Sequence, residues 1–91
     1  MLLEVETIKM ANQKKVKFRK ENDGYYYIVN PNTLDLLKFN YTGAFILYMK
    51  LYGVENKNII KMLADKTKME TEIISQWLSE FEEYLLIKEF L

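Results

Sequence analysis

Apolar and polar residues alternate with a period of two through the first part of the chain, a pattern typical of half-buried β-strands. Asp23-Gly24 and Asn30-Pro31 separate the alternating segments and have the residue types of tight turns. The pattern predicts a three-stranded antiparallel meander whose last strand is an edge. Residues 1–13, where the alternation is weak, are expected to form a flexible N-terminal arm or an ill-defined strand. The predicted strands cover residues 14–21, 25–30 and 34–39.

In the rest of the chain, apolar residues recur at intervals of three and four, which indicates amphipathic helices. Gly53 suits the left-handed residue that ends a helix, and Asn56 has the side chain of an N-cap. Thr67 and Glu70 have the spacing of a capping box at the start of a third helix. The predicted helices cover residues 41–52, 57–66 and 67–84, and an apolar tail over residues 85–91 is expected to pack back onto them.

These elements predict an α+β fold of winged helix-turn-helix-like type, with a three-stranded antiparallel sheet followed by three helices. The chain of 91 residues is long enough for one small core, so residues 14–91 are interpreted as a single domain. The N-terminus is acidic, and no segment approaches the ~20 apolar residues that span a bilayer. We therefore expect a cytoplasmic protein with no membrane partner.

The composition restricts the chemistry that the chain can perform. There is no cysteine and no histidine, which excludes thiolate metal sites and removes the usual general base and the usual imidazole ligand. Ser75 and Ser79 are the only serines, and both lie in the third predicted helix without a base to activate them. We therefore expect a protein that is not an enzyme and that holds no cofactor and no metal.

The charges are unevenly distributed, although the 13 basic and 13 acidic residues balance. Residues 14–20 carry five cations, whereas residues 69–91 carry six glutamates and one lysine, Lys88. The predicted order of strands and helices also fits a winged-helix DNA-binding protein. Such a protein needs cations on its recognition helix. The acidic third helix therefore predicts no nucleic-acid partner.

The junction between the third predicted strand and the first helix carries the most specific residues of the chain. They are Leu37, Phe39, Asn40, Thr42, Gly43, Ala44 and Ile46. This junction resembles the L-N-x-T-G/A-A-x-I signature of the PqqD-like family, the RiPP recognition elements that bind leader peptides in ribosomal natural-product biosynthesis. Residues 74–78 are similar to the family's V-x-x-F-L pattern. Ile73 departs from the aspartate that the family often has there, and Tyr52 departs from the acidic residue before its glycine.

The resemblance implies a non-catalytic precursor-peptide chaperone that presents the leader to a modifying enzyme, such as a radical SAM enzyme, a protease or a cyclase. Lasso-peptide and radical SAM pathways both use such domains. The leader would add as a strand beside the third predicted strand, in a groove whose other wall is the third helix. The implied peptide-binding residues are Leu34, Asp35, Leu36, Leu37, Lys38 and Phe39 on the strand and Ile73, Ile74, Trp77, Leu78 and Phe81 on the helix.

Two alternatives concern the third predicted strand. Leu34 and Leu36 form one apolar face of this strand, and Leu37 and Phe39 form the other. A strand with one solvated face does not need both, so a ligand, the N-terminal arm or the C-terminal tail covers the second face. The predicted edge also permits a strand-exchanged structural dimer in place of a monomer.

Other expectations concern single residues near the predicted groove. Asn40 and Thr42 are expected to cap or brace the first helix rather than contact a ligand. Trp77 is either a core residue or a lining residue of the groove. The glutamates of the third helix favour a leader with basic residues near its anchors.

Overall fold

The computed structural model describes residues 5–9 and 14–91. The described residues form a four-stranded antiparallel sheet in the order β1-β2-β3-β4, followed in the chain by three helices. The strands are β1 (Val5–Lys9), β2 (Lys15–Lys20), β3 (Tyr26–Val29) and β4 (Leu36–Phe39), and the helices are α1 (Tyr41–Leu51), α2 (Asn56–Thr67) and α3 (Thr71–Ile87). The α+β class is confirmed, whereas the predicted sheet of three strands is wrong.

The additional strand is β1, which lies within the predicted N-terminal arm. It pairs with β2 in an antiparallel register that aligns Thr7 with Lys17. The side chain of Ile8 is buried in the core, and burial on one face specifies the register of a strand whose alternation is weak in the sequence. The other residues of the predicted arm, 1–4 and 10–13, lie outside the described residues.

Alternate residues of the strands face the helices and form the core. Val16, Phe18 and Ile28 are fully buried together with Ala44 and Leu47 of α1. A second apolar cluster joins the three helices, and its buried members are Ile46, Ile59, Leu63, Ile74 and Leu78. The intervening strand residues point to the opposite face, which we call the outer face of the sheet, and their described side chains are partly or fully exposed.

Both ends of α1 follow the predicted chemistry. The Asn40 side chain accepts a hydrogen bond from the N–H of Gly43 at 2.8 Å, which caps the first turn. Gly53 has a φ of 80°, and the N–H groups of Gly53 and Val54 bond back to the last turn of α1 in a Schellman motif. Residues that are close together in the chain therefore determine where α1 begins and ends.

The start of α2 differs from the prediction. Asn56 is the first residue of the helix rather than its N-cap, a position that Glu55 occupies without a side-chain hydrogen bond. The Asn56 side chain instead joins Lys50 and Glu82, which form an ion pair between α1 and α3. Burial lowers the pKa of the Lys50 ammonium.

The boundary between α2 and α3 also differs from the prediction. Thr67 is the last residue of α2, and its hydroxyl donates to the carbonyl of Leu63 at 2.7 Å. Lys68 has a φ of 61° and ends α2, so α3 begins only at Thr71. The predicted capping box of Thr67 and Glu70 is therefore wrong.

The C-terminal residues pack back onto the sheet, as the apolar tail predicts, although α3 itself continues to Ile87. Phe90 is 1% exposed, and its ring lies edge-on to that of Phe39 with 6.1 Å between centroids. The N–H groups of Glu89 and Phe90 bond back to the last turn of α3 in another Schellman motif. Glu89 takes the left-handed position of this motif, with a φ of 63°.

Buried Asn30 ties the β3–β4 turn to the end of α3. Its side-chain amide donates to the carbonyl of Lys88, and its Oδ1 accepts from the N–H of Asn32 at 2.8 Å. The Asn32 side chain in turn donates to the carbonyl of Glu89 at 2.8 Å. Because buried polar groups need hydrogen-bond partners, these bonds hold the turn that leads into β4.

Candidate functional site

β4 is an edge strand of the sheet. It pairs with β3 in a register from Val29↔Leu36 to Tyr26↔Phe39, and no other described strand lies beside it. An edge strand presents unpaired N–H and C=O groups that an extended peptide can join. The edge position that the meander predicts for this strand is confirmed.

The hydrogen bonds at the β3–β4 turn show which backbone groups face outward. The N–H of Asn30 donates to the carbonyl of Asp35 at 2.9 Å, so these two residues form a hydrogen-bonded pair. Since bonded and non-bonded pairs alternate along antiparallel strands, the backbone of Leu37 faces β3. The N–H and C=O groups of Leu36 and Lys38 therefore point away from β3, toward the open edge.

Aromatic side chains form a row along one side of α3. The rings of Trp77 and Phe81 stack with 6.1 Å between centroids and 15° between planes, and Phe81 and Tyr84 stack at 5.9 Å and 15°. Ile73 continues the row one turn earlier and is 52% exposed. Trp77 and Tyr84 are each 39% exposed, so Trp77 lies at the surface rather than in the core.

A depression lies between the β4 edge and this aromatic row. The ring of Phe39 contacts Phe81 at 5.9 Å and Tyr84 at 6.3 Å between centroids and forms the floor. Because Gly43 has no Cβ, the first turn of α1 can lie close to this floor. A Cβ at this position would lie 3.2 Å from Asn40 Oδ1 and 3.4 Å from the Phe81 ring. The depression has a volume of about 300 Å³ and is lined by Lys38, Phe39, Asn40, Gly43, Phe81 and Tyr84.

A second depression, of about 340 Å³, adjoins the first at Asn40, which lines both. The stacked rings of Trp77 and Phe81 also connect the two. Its lining residues are Asn40, Thr42, Leu63, Thr67, Met69, Ile73, Ile74 and Trp77. We call the two depressions together the β4–α3 groove.

Six of the eleven candidate residues from the sequence line this groove, namely Lys38, Phe39, Ile73, Ile74, Trp77 and Phe81. Leu36 offers its backbone to the edge, but its side chain is on the outer face, and Leu37 packs against the core. Leu78 is 1% exposed within the helical cluster and does not reach the groove. Leu34 and Asp35 precede β4 rather than belonging to it, because Leu34 has a φ of 65°.

The groove also contains residues that the sequence analysis did not assign to it. Tyr84 lies one turn beyond Phe81, and this three-residue aromatic spacing is a signal that the sequence contains. Leu63, Thr67 and Met69 reach the groove because the α2–α3 turn folds beside the start of α1. Nothing in the local sequence indicates that proximity.

The charge of the groove differs from the expectation drawn from the acidic third helix. Among the described residues, the lining side chains include no carboxylate, and Lys38 is their one cation. Glu72 and Glu80 instead line a separate depression between α2 and α3, and Glu82 pairs with Lys50. The groove therefore does not favour basic residues in a bound peptide.

Lys38 belongs to a small charged network at the mouth of the groove. Its Nζ lies 4.2 Å from the centroid of the Tyr25 ring and 4.0 Å from the carboxylate of Asp23. The Asp23 carboxylate accepts hydrogen bonds from the Tyr25 N–H at 2.9 Å and the Tyr27 hydroxyl at 2.8 Å. These two bonds, and then the charge of Lys38, lower the pKa of Asp23, and the same hydroxyl bond raises the pKa of Tyr27.

The arrangement suits noncovalent binding of an extended segment with apolar side chains. Within residues 5–9 and 14–91, no three metal-ligating side chains of the His, Cys, Asp or Glu type group together. In the described part of the chain, no helix has both the length and the apolar character needed to cross a membrane. Comparison of the chain with protein-family models, with curated proteins and with solved structures finds no match in any of the three.

Proposed function

We propose that this chain is a non-catalytic, PqqD-like domain that binds the leader of a ribosomally made, post-translationally modified peptide. The leader adds as a strand at β4, lies against α3 and is presented to a modifying enzyme in the cytoplasm. The observation that carries the proposal is the juxtaposition of an open strand edge and an apolar groove. Together these features suit an extended peptide, which uses backbone pairing for affinity and side-chain pockets for specificity.

Hydrogen bonds at the edge do not by themselves account for binding. Ordering each peptide residue costs about 1–2 kcal/mol, whereas each strand hydrogen bond contributes only about 1 kcal/mol net. Apolar anchors in the groove must supply the remainder, at about 2 kcal/mol or more each. With one anchor in each depression, we expect a Kd between about 10 nM and 10 µM.

The geometry also restricts the sequence of the leader. Successive side chains of a strand point to opposite faces, so the anchors that enter the two depressions are an even number of residues apart. Lys38 at the mouth of the groove favours a carboxylate on the leader through charge pairing at the rim. We therefore expect two large apolar residues on one face of the bound strand, with an acidic residue close to one of them.

Proline substitution on β4 tests strand addition. Leu36→Pro removes the outward-pointing N–H, and proline is tolerated on an edge strand where that N–H faces solvent. Leu36→Ala is the matched control, because it also removes the side chain but keeps the N–H. Since a net hydrogen bond contributes about 0.5–1.5 kcal/mol, the proline variant should bind the leader about two- to tenfold more weakly than the alanine variant.

The measurement is an NMR titration of isotope-labelled protein with the leader peptide encoded beside the gene for this chain. In the wild type, signals that shift should cluster on residues 36–43 and 73–84. Equal dissociation constants for Leu36→Pro and Leu36→Ala would contradict strand addition. Shifts confined to β2, or to the N-terminal half of α2, which does not line the groove, would contradict the location of the site.

Two other functions give different results in simple experiments. A strand-exchanged structural dimer uses the same edge, so it would sediment as a dimer that Leu36→Pro dissociates, whereas we expect a monomer. A winged-helix DNA-binding protein would bind duplex DNA saturably with a steep salt dependence. We expect no such binding, because α3 exposes Glu72 and Glu80.

A further inference from the structure

The outer face of the sheet combines apolar and cationic side chains that the described helices leave exposed. Two cross-strand rows run from β2 to β4, and they consist of Lys17, Val29 and Leu36, and of Arg19, Tyr27 and Lys38. Val29 is 42% exposed and Leu36 is 62% exposed. A depression of about 490 Å³ over these rows is lined by Lys17, Arg19, Glu21, Tyr27, Val29 and Leu36.

Positive charge is concentrated on this face, although the chain as a whole is neutral. The exposed cations are Lys9, Lys15, Lys17, Arg19 and Lys38. Among the side chains that the structure describes, two carboxylates lie near these cations, and each is close to one of them: Glu21 is 3.0 Å from Arg19, and Asp23 is 4.0 Å from Lys38. The face therefore has an aliphatic centre within a predominantly basic rim.

Leu34 adds an exposed apolar side chain two residues before Leu36. It is 79% exposed and has a φ of 65°, a conformation that disfavours leucine. The turn holds it there, because its N–H donates to the carbonyl of buried Asn30 at 2.7 Å. Leu34 therefore buries little apolar surface within the described part of the chain.

We propose that the outer face of the sheet docks an acidic protein surface that carries an exposed aliphatic side chain. The aliphatic side chain packs on Val29 and Leu36, and the surrounding carboxylates pair with Lys17, Arg19 and Lys38. An apolar centre within a charged rim is the general layout of a protein–protein interface, and the charges determine the sign of the partner. This face shares β4 with the β4–α3 groove, since Lys38 borders both, but Lys17, Arg19 and Val29 lie outside the groove lining, so the inference does not depend on leader binding.

A single-stranded nucleic acid fits the same face less well. Binding of this kind relies on bases that stack on exposed aromatic rings. The Tyr25 ring is covered by Lys38 Nζ at 4.2 Å, and the Tyr27 hydroxyl is bound to Asp23. The two carboxylates repel phosphates, and the side chains at the centre of the face, Val29 and Leu36, are aliphatic.

The test uses a short synthetic peptide that is rich in glutamate and contains two adjacent leucines, which cannot both enter the β4–α3 groove if the peptide adds as a strand. A matched peptide has serines in place of the leucines, and an oligothymidylate of equal charge represents nucleic acid. Each probe is titrated into the isotope-labelled full chain and followed by NMR at several salt concentrations. We expect the leucine peptide to shift the signals of Lys17, Arg19, Val29 and Leu36 saturably, with weaker binding at higher salt.

Substitutions then separate specific docking from general charge attraction. Val29→Ser should weaken binding of the leucine peptide by about fivefold or more. Ile87→Ser is the matched control, because Ile87 is also an exposed aliphatic residue, at 71%, but lies on α3. This control should leave the dissociation constant unchanged.

Four results would overturn the inference. They are equal affinity for the leucine and serine peptides, tighter binding of the oligothymidylate, shifts confined to the β4–α3 groove, and no saturable shift. Thermal unfolding of Val29→Ser provides a further check. The melting temperature should stay close to that of the wild type, and a large decrease would show that part of this chain already covers the face.

Discussion

The ring of Phe39 lies edge-on to the ring of Phe81, with 5.9 Å between their centroids and 74° between their planes. Phe39 is the last residue of β4 and Phe81 is in the second half of α3, so this contact joins the open strand edge to the helix. Both rings also contact Tyr84. The groove between strand and helix therefore has an aromatic floor on which an incoming apolar side chain can pack.

Trp77→Ala should weaken leader binding with little effect on folding. Trp77 lines the second depression and is 39% exposed. Truncation of such an aromatic anchor removes about 2 kcal/mol of binding free energy, or about thirtyfold in Kd. The free energy of unfolding should decrease by about 1 kcal/mol or less. Calorimetric titration and urea denaturation measure the two quantities.

Leu78→Ala is the matched control one residue along the same helix. Because Leu78 is 1% exposed, its truncation should lower the free energy of unfolding by about 2–5 kcal/mol. Protein that remains folded should still bind the leader with near wild-type affinity. If Leu78→Ala weakened binding and Trp77→Ala weakened only stability, the groove would not lie on the Trp77 side of α3.

Asn40→Ala should destabilise the domain by about 1 kcal/mol, because the N–H of Gly43 loses its capping acceptor. Asn40→Asp keeps an acceptor and places a negative charge at a helix N-terminus, so it should retain wild-type stability. Urea denaturation compares the three proteins, and the leader affinity of folded Asn40→Ala should change little, because the Asn40 side-chain oxygen is engaged by the helix cap. An aspartate variant as unstable as the alanine variant would argue against a capping role.

Glu89→Gly should stabilise the domain by about 0.5–1 kcal/mol. Glu89 has a φ of 63° in the Schellman motif after α3, a position that glycine adopts without steric cost. Its carbonyl still accepts the hydrogen bond from Asn32 in any variant. Glu89→Ala is the control and should bring no gain, because alanine keeps the Cβ. A similar increase in denaturation midpoint for both variants would show that the carboxylate, not the backbone, is responsible.

Acid should remove a contribution of Asp23 to stability. Hydrogen bonds from the Tyr25 N–H and the Tyr27 hydroxyl, and then the charge of Lys38, lower the pKa of Asp23 from its ordinary value. The folded state thus favours the carboxylate, so this contribution is present above the unfolded-state pKa and is lost as pH falls through the folded-state pKa. Urea denaturation of wild type and Asp23→Asn should differ near pH 7 and converge below about pH 4. A difference independent of pH would contradict this assignment.

The sequence by itself determines the local elements around the groove. β2, β3 and β4 lie, within one or two residues, where alternation and the turns at Asp23-Gly24 and Asn30-Pro31 predict them. Asn40 and Gly53 bound α1 as predicted. These features are readable because periodicity, turn chemistry and helix capping depend on residues that are close together in the chain.

Only the tertiary structure decides the fourth strand and two of the boundaries. β1 has weak alternation, and its pairing with β2 and the burial of Ile8 make it a strand. Leu34 falls outside β4 because the turn held by buried Asn30 places it at a positive φ. Lys68 ends α2 in a similar left-handed conformation, against the local preference for a cap at Thr67.

The division of α3 into a core side and a groove side is likewise a tertiary property. Helical periodicity places Ile73, Trp77 and Leu78 on one broad apolar face and cannot separate them further. In the structure Leu78 is buried against α2, whereas Ile73 and Trp77 remain about half exposed or less. The separation depends on where α2 and β4 lie relative to α3. The apolar face of α3 is wider than its neighbours can cover, and the uncovered part lines the groove.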